Sequence, residues 1–262
     1  MDSIEQQKEH FNKIAENYYS TRQNSNSSLY RQYLWDYIFR NAPPPPREIL
    51  TLLEPMCGYA EGKEIIEAHY SKNTEYTGFD YSEEIINIVK KIAPERNVFV
   101  QDATTYHPTS KFDCILIIGG LHHVPDYTEV VLRNLRAGLT DDGYFINWEP
   151  THGNRIAKAI RDRTYRKNPV FDYETERDYS VNELNKMYKD AGYDIVQQFY
   201  PGLLTYCLYA NPDVFPFLAK IPPIVLKIAF KLEKCLYKTR LAKCLSFLTI
   251  TILKKNCNST SA

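Results

Sequence analysis

Ile49-Leu50-Thr51-Leu52-Leu53-Glu54-Pro55-Met56-Cys57-Gly58-Tyr59-Ala60-Glu61-Gly62 is the stretch that decides the architecture of this 262-residue chain. The apolar run 49–53 reads as a buried strand, Glu54 ends it, and Gly58 turns the backbone into a helix expected over 61–69. The stretch has neither G-x-x-x-x-G-K-[ST] nor a complete G-x-G-x-x-G, so it is not built for a triphosphate or a pyrophosphate dinucleotide. It offers a carboxylate beside a tight turn, which suits a ligand carrying positive charge.

Outward from this turn, short apolar runs alternate with helical periodicity. Strands are expected at 76–79, 98–100, 114–118, 144–148, 194–199 and 246–253, and helices at 83–92, 127–137, 152–166 and 181–191. Ser180 with Glu183 three residues on forms a capping box for the last of these. Uniformly apolar strands separated by helices mean a parallel sheet covered on both faces, so the expected class is α/β. Before the sheet, 4–19 and 29–40 read as two amphipathic helices, followed by a stiff spacer at Pro43–Pro46.

Composition narrows the function classes. Lys and Arg number 32 and Asp and Glu 32, with 44% hydrophobic residues, which excludes a disordered tail or a uniformly basic nucleic-acid binder. The six cysteines form no C-x-x-C pair, and Met1–His10 is polar, so free thiols and a cytoplasmic location are expected. The balance hides an asymmetry: Lys220 to Lys255 holds nine basic residues and one acid, Glu233, on an otherwise acidic body. From Pro222 onward a helix is expected in which Lys227, Lys231, Lys234 and Lys238 form a basic stripe beside apolar residues. Either this helix covers the sheet with its lysines solvated, or it makes peripheral membrane contact through 222–243.

The strand ends carry the chemistry. In an open α/β sheet, ligands bind beyond the carboxyl ends of the strands. Acids stand at three successive ends: Glu54, Asp80 in Gly78-Phe79-Asp80-Tyr81-Ser82, and Asp102 in Gln101-Asp102-Ala103. Asp80 follows the turn glycine by 22 residues, near the spacing at which a carboxylate meets ribose hydroxyls in doubly wound folds. Each acid alone also suits a helix cap; three in succession point to a nucleoside ligand.

Taken together, His10-Phe11-Asn12-Lys13-Ile14-Ala15 through Tyr18-Tyr19, Ile49 to Ala60, Phe79-Asp80, Gln101-Asp102-Ala103, Phe112 to Ile115 with Leu121-His122-His123-Val124-Pro125-Asp126, and Leu135 to Leu139 with Asp142-Gly143-Tyr144 resemble class I S-adenosylmethionine-dependent methyltransferases, in particular the small-molecule ubiquinone/menaquinone-type group. The resemblance spans about residues 4–200. It implies a Rossmann-like, doubly wound, seven-stranded, mostly parallel sheet with an antiparallel last strand. It also implies an amino-terminal helical lid at 1–42, a core at 43–210, a helical cap insertion at 211–245, and a last strand and tail at 246–262. The cofactor implied is S-adenosyl-L-methionine, with Glu54 and Gly58 at its methionine end, Asp80 at the ribose, Asp102 and Ala103 at the adenine, and Tyr81, Gly119 and Tyr18 completing the pocket. Ala60 stands where the family usually has a glycine and is expected to add a methyl against the cofactor.

Methyl transfer from a sulfonium needs alignment and exclusion of water, and for a hydroxyl acceptor a base. His122 and His123 follow the fourth strand, and His122 matches the position of the catalytic histidine in plant-type O-methyltransferases; the alternative is that the rings only pack. Glu149, in Asn147-Trp148-Glu149-Pro150, either orients an acceptor or serves as a helix-terminal acid. No metal-ligand spacing is recognised among the histidines. The expected activity is methylation of oxygen or nitrogen on a small, fairly apolar molecule, with Tyr18, Tyr19 and Tyr30 lining its chamber and no nucleic acid as partner. The competing reading is a non-catalytic adenosyl-ligand binding module that docks through the basic helix.

Overall fold

A computed structural model describes residues 3–22, 25–167, 175–210 and 221–256. In chain order the elements are α1 Ser3–Arg22, α2 Ser25–Asn41, β1 Thr51–Pro55, α3 Gly62–Glu67, β2 Glu75–Asp80, α4 Glu83–Ile92, β3 Asn97–Val100, β4 Phe112–Ile118, α5 Thr128–Gly138, β5 Leu139–His152, α6 Arg155–Lys167, β6 Tyr179–Ser180, α7 Val181–Asp190, β7 Tyr193–Phe199, α8 Leu204–Tyr209, α9 Pro223–Glu233, α10 Arg240–Leu245 and β8 Leu248–Lys255.

The principal strands lie in the order β3-β2-β1-β4-β5-β8-β7, with the two-residue β6 beside the end of β5. Strands β1 to β5 run parallel, and β8 is antiparallel to both β5 and β7. The fold is therefore a Rossmann-like mixed sheet with helices on both faces. The switch in strand order falls between β1 and β4, so their carboxyl ends open a crevice there.

The apolar runs account for two cores, one on each face. On one face Leu52, Cys114, Leu116, Ile146, Trp148 and Ile250 pack with Tyr30, Leu34, Trp35 and Ile38 of α2. On the other, Leu53, Phe79, Ile115, Ile117 and Phe145 pack with Val131, Leu132 and Leu135 of α5 and with Leu184 and Tyr188 of α7. Helix α2 thus belongs to the main core, while α1 makes a smaller cluster of Phe11 and Ala15 with Ile85 of α4.

Several boundaries depart from expectation. Strand β1 starts two residues later than read, because the Asp113 carboxylate takes the backbone N–H groups of Leu50 and Thr51, each at 3.1 Å. Strand β5 starts at Leu139 instead of 144: the register jumps from Phe112↔Leu139 to Cys114↔Tyr144, so the intervening residues bulge and break the alternation. The basic helix is broken. Helix α9 ends at Glu233, whose carboxylate accepts from the Thr205 backbone N–H (3.0 Å) and the Tyr237 hydroxyl (3.2 Å), and a turn leads to α10. Among the described residues no helix is long and apolar enough to cross a membrane.

Candidate functional site

The turn after β1 is held in an unusual backbone path. Met56, Gly58 and Ala60 all have positive φ (51°, 50° and 60°), a conformation that favours glycine. Three contacts keep it: Gly58 N–H donates to Asp80 Oδ2 (3.1 Å), Gly62 N–H donates to Glu54 Oε2 (3.1 Å), and the Arg96 guanidinium donates to the Ala60 carbonyl. A Cβ built on Gly58 meets nothing within 4 Å, so the bare backbone faces open space.

That space is a crevice open to solvent, bordered by Gly58, Asp80, Tyr81, Asp102, Ala103, Gly119 and His123, with Phe11, Met56 and Ile85 adding apolar wall. Asp80 is buried at the end of β2, and its second oxygen accepts from Ser82 N–H (3.0 Å). Burial raises its carboxyl to about 6 against the opposing pull of these backbone donors. Asp102, just past the end of β3, accepts from Thr104 N–H (2.8 Å).

Glu54 does not line the crevice. Its carboxyl is buried behind the turn, bonded to Gly62 N–H and to the Tyr76 hydroxyl (2.6 Å), and burial lifts it to about 8. It braces the glycine turn. Ala60 is also turned away: it is fully buried in the core with Leu52 and Ile66, so its methyl takes no room from the crevice.

The histidines separate by role. His123 borders the crevice, with its ring edge-on to Phe11 at 4.9 Å. His122 is buried behind it, not at the mouth of the sheet, and its Nδ1 lies 2.6 Å from Glu149 Oε1. Glu149 is completely buried and also accepts from Leu121 N–H (3.2 Å) and His122 N–H (3.0 Å), so it caps the turn 121–123 instead of the helix after β5. Burial, followed by the Arg161 guanidinium, holds the His122 imidazole far below its ordinary value, while burial pushes the Glu149 carboxyl up. His123 is likewise lowered, by burial and then by the His122 and His10 rings. Burial and these neighbours favour the uncharged form of both imidazoles.

Helix α1 lies across the crevice. Its Asn12 Oδ1 accepts from the Ser82 hydroxyl (2.6 Å), the Tyr59 hydroxyl donates to the Ala15 carbonyl (2.6 Å), and Tyr81 donates to Gln7 (3.3 Å). The Tyr18 side chain lies outside the described residues. The Tyr19 ring meets that of Tyr59 at a tilt of 56°, with 4.9 Å between centroids. Tyr30 is fully buried under α9 against Phe230, so it lines no acceptor chamber.

Three residues at the site carry no signal in the sequence. Ile85 and Val124 border the crevice but look like ordinary core positions. The third is Glu176, whose buried carboxylate comes within 3.5 Å of His123 Nδ1 although no metal grouping is expected there. Nothing in the sequence around it signals this approach.

A family model described as a methyltransferase domain matches residues 28–198. The chain belongs to that methyltransferase family. Its cofactor is S-adenosylmethionine, and the crevice offers a buried carboxylate and open glycine backbone of the kind a nucleoside-bearing ligand needs. No curated protein matches. Solved structures share the fold at low identity. A TehB-like S-adenosylmethionine-dependent methyltransferase from Corynebacterium glutamicum has 14% identity and a TM-score of 0.56, with 92% of this chain and 98% of that one covered. The cyclopropane synthase MmaA2 from Mycobacterium tuberculosis has 15% and 0.59, covering 84% and 82%. An O-methyltransferase from Brevibacillus brevis, bound to S-adenosyl-L-homocysteine, has 15% and 0.54, covering 81% and 68%.

Proposed function

We propose that this methyltransferase transfers the methyl group of S-adenosylmethionine to oxygen or nitrogen of a small, fairly apolar acceptor. The observation that carries the reading is a single crevice bordered by Gly58, Asp80 and Asp102 at the switch point of the sheet. S-adenosylmethionine supplies an electrophilic methyl on a sulfonium. Asp80 is assigned to the ribose hydroxyls, Asp102 and Ala103 to the adenine with Tyr81 beside them, and Gly58 and Gly119 to the methionine end. Phe11 on α1 adds a wall to the site, so α1 acts as the lid, held in place by its bonds to Ser82 and Tyr59. His123 faces the acceptor side as a neutral ring able to accept a hydrogen bond from a hydroxyl or amine. His122 and Glu149 hold the turn that positions it.

The test is transfer of a labelled methyl group to a panel of small phenols, alcohols and amines, with calorimetric binding of S-adenosylhomocysteine. Cofactor binding with no transfer to any acceptor favours the non-catalytic binding module. No cofactor binding ends both readings.

We infer that α9 and α10 form a cap that rests on an anionic membrane surface. Leu226 and Phe230 of α9 are buried, but Ile224, Ile228, Leu232 and Leu241 stay exposed, up to 70% for Leu232, beside Lys227, Lys231 and Lys234. Each lysine near such a surface contributes about 1 kcal/mol. Sedimentation with phosphatidylserine vesicles at low salt, lost in Leu232→Glu, is expected; equal behaviour with neutral vesicles argues against it.

A further inference from the structure

His122 and His123 come from the turn after β4, and Glu176 from the segment just before β6. One donor atom of each lies within 4.8 Å of the other two. His123 Nδ1 is buried and makes no hydrogen bond, although it lies 3.5 Å from the Glu176 carboxylate. His122 Nδ1 is taken by Glu149, which leaves Nε2 as its donor. A carboxylate behind one ring nitrogen is how metal-bound histidines are usually oriented.

The scaffold is stiff. Leu121 N–H and His122 N–H bond Glu149, the Tyr179 hydroxyl donates to the Leu121 carbonyl (2.9 Å), and Arg177 N–H donates to the His122 carbonyl (3.2 Å). That last bond brings Glu176 alongside the histidines. The nearby cation Arg161 is matched by Asp178 at 3.5 Å. Metal–nitrogen bonds of about 2.1 Å set tetrahedral donor separations near 3.4 Å, so the side chains need to draw in by about 1.4 Å at most.

We propose that His122, His123 and Glu176 bind one divalent transition-metal ion of the Zn²⁺, Fe²⁺ or Co²⁺ type. Two imidazoles with one carboxylate favour these ions over Ca²⁺ and Mg²⁺, which prefer all-oxygen shells, and leave coordination positions open. The site stands on its ligand geometry alone. Its consequence, that the open positions hold an acceptor heteroatom beside the crevice, rests on the methyl-transfer reading above.

The experiment titrates chelator-treated full-length protein with Co²⁺ and follows the visible ligand-field bands. One ion per chain, displaced by Zn²⁺, is expected. Glu176→Gln and His123→Ala each weaken uptake tenfold or more, and Glu149→Gln weakens it by about 10–100-fold without changing the stoichiometry. A cooperative melt and S-adenosylhomocysteine calorimetry on the same samples report folding and the cofactor site separately. Absence of stoichiometric uptake by folded wild-type protein, or uptake unchanged in Glu176→Gln and His123→Ala, overturns the proposal. Co²⁺ uptake without S-adenosylhomocysteine binding leaves the metal site standing and removes the cofactor reading.

Discussion

Asp80→Asn separates the cofactor role of this carboxylate from its structural one. The carboxylate accepts from Gly58 N–H at 3.1 Å and Ser82 N–H at 3.0 Å. An amide keeps one acceptor and sets its NH₂ against the other donor, so one backbone bond at the turn is lost while the burial cost of the charged carboxylate is relieved, and the two offset each other in stability. A ribose hydroxyl held by the same group loses a comparable bond, and about 2 kcal/mol is roughly 30-fold in affinity. Asp80→Ala loses both acceptors, and the expected weakening is about a thousandfold for about 4 kcal/mol. Calorimetry with S-adenosylhomocysteine measures the affinity, and urea unfolding without ligand measures the stability. Asp80→Asn protein that is folded and binds within threefold of wild type refutes the assignment of Asp80 to the ribose.

Cofactor affinity should fall as pH drops below about 6, where Asp80 takes up a proton, and a flat profile from pH 5 to 8 would contradict this. Because its folded value is raised from 3.8, Asp80's own contribution to stability is full below about 3.8 and is lost as pH rises to about 6, opposite in sense to the affinity. Glu54, raised from 4.5 to about 8 by burial, follows the same rule, so wild-type stability relative to Glu54→Gln should decline between these values while cofactor affinity stays within threefold; parallel stability curves would show that Glu54 is not held neutral. Gly58→Ala places a Cβ at φ +50° pointing into the crevice: about 1–2 kcal/mol of stability and most of the cofactor affinity should be lost, as read by thermal shift with and without ligand. Tyr179→Phe removes the bonds to the Leu121 carbonyl and Thr128, with an expected loss of about 1 kcal/mol in urea unfolding.

The parallel part of the sheet was legible because its strands are buried on both faces and read as unbroken apolar runs. The bulge in β5 was not, since Asp141, Asp142 and Gly143 interrupt the pattern that identifies a strand. The lysines keep helical spacing, so the sequence gives no sign of the break in the basic helix; it depends on Glu233 being drawn to Thr205, a contact that needs the folded neighbour. At the site, Asp80 and Asp102 were readable from their places after strands. Glu54 looked equivalent in sequence, yet its bonds to Gly62 and Tyr76 turn it inward. The coupling of His122 to Glu149 spans 27 residues and follows from β4 lying beside β5, and the approach of Glu176 needs the β5–β6 pairing.

Strand β8 slots between β5 and β7 although it follows both in the chain. Until Leu248–Lys255 leaves the ribosome, Phe145–Pro150 on one side and Tyr193–Phe199 on the other present bare hydrogen-bonding edges to each other and to any passing strand. A stop codon just before Leu248 therefore spares the crevice residues yet leaves a gap in the sheet, and the product is expected to be a substrate for holdase chaperones and proteases, not a trimmed enzyme.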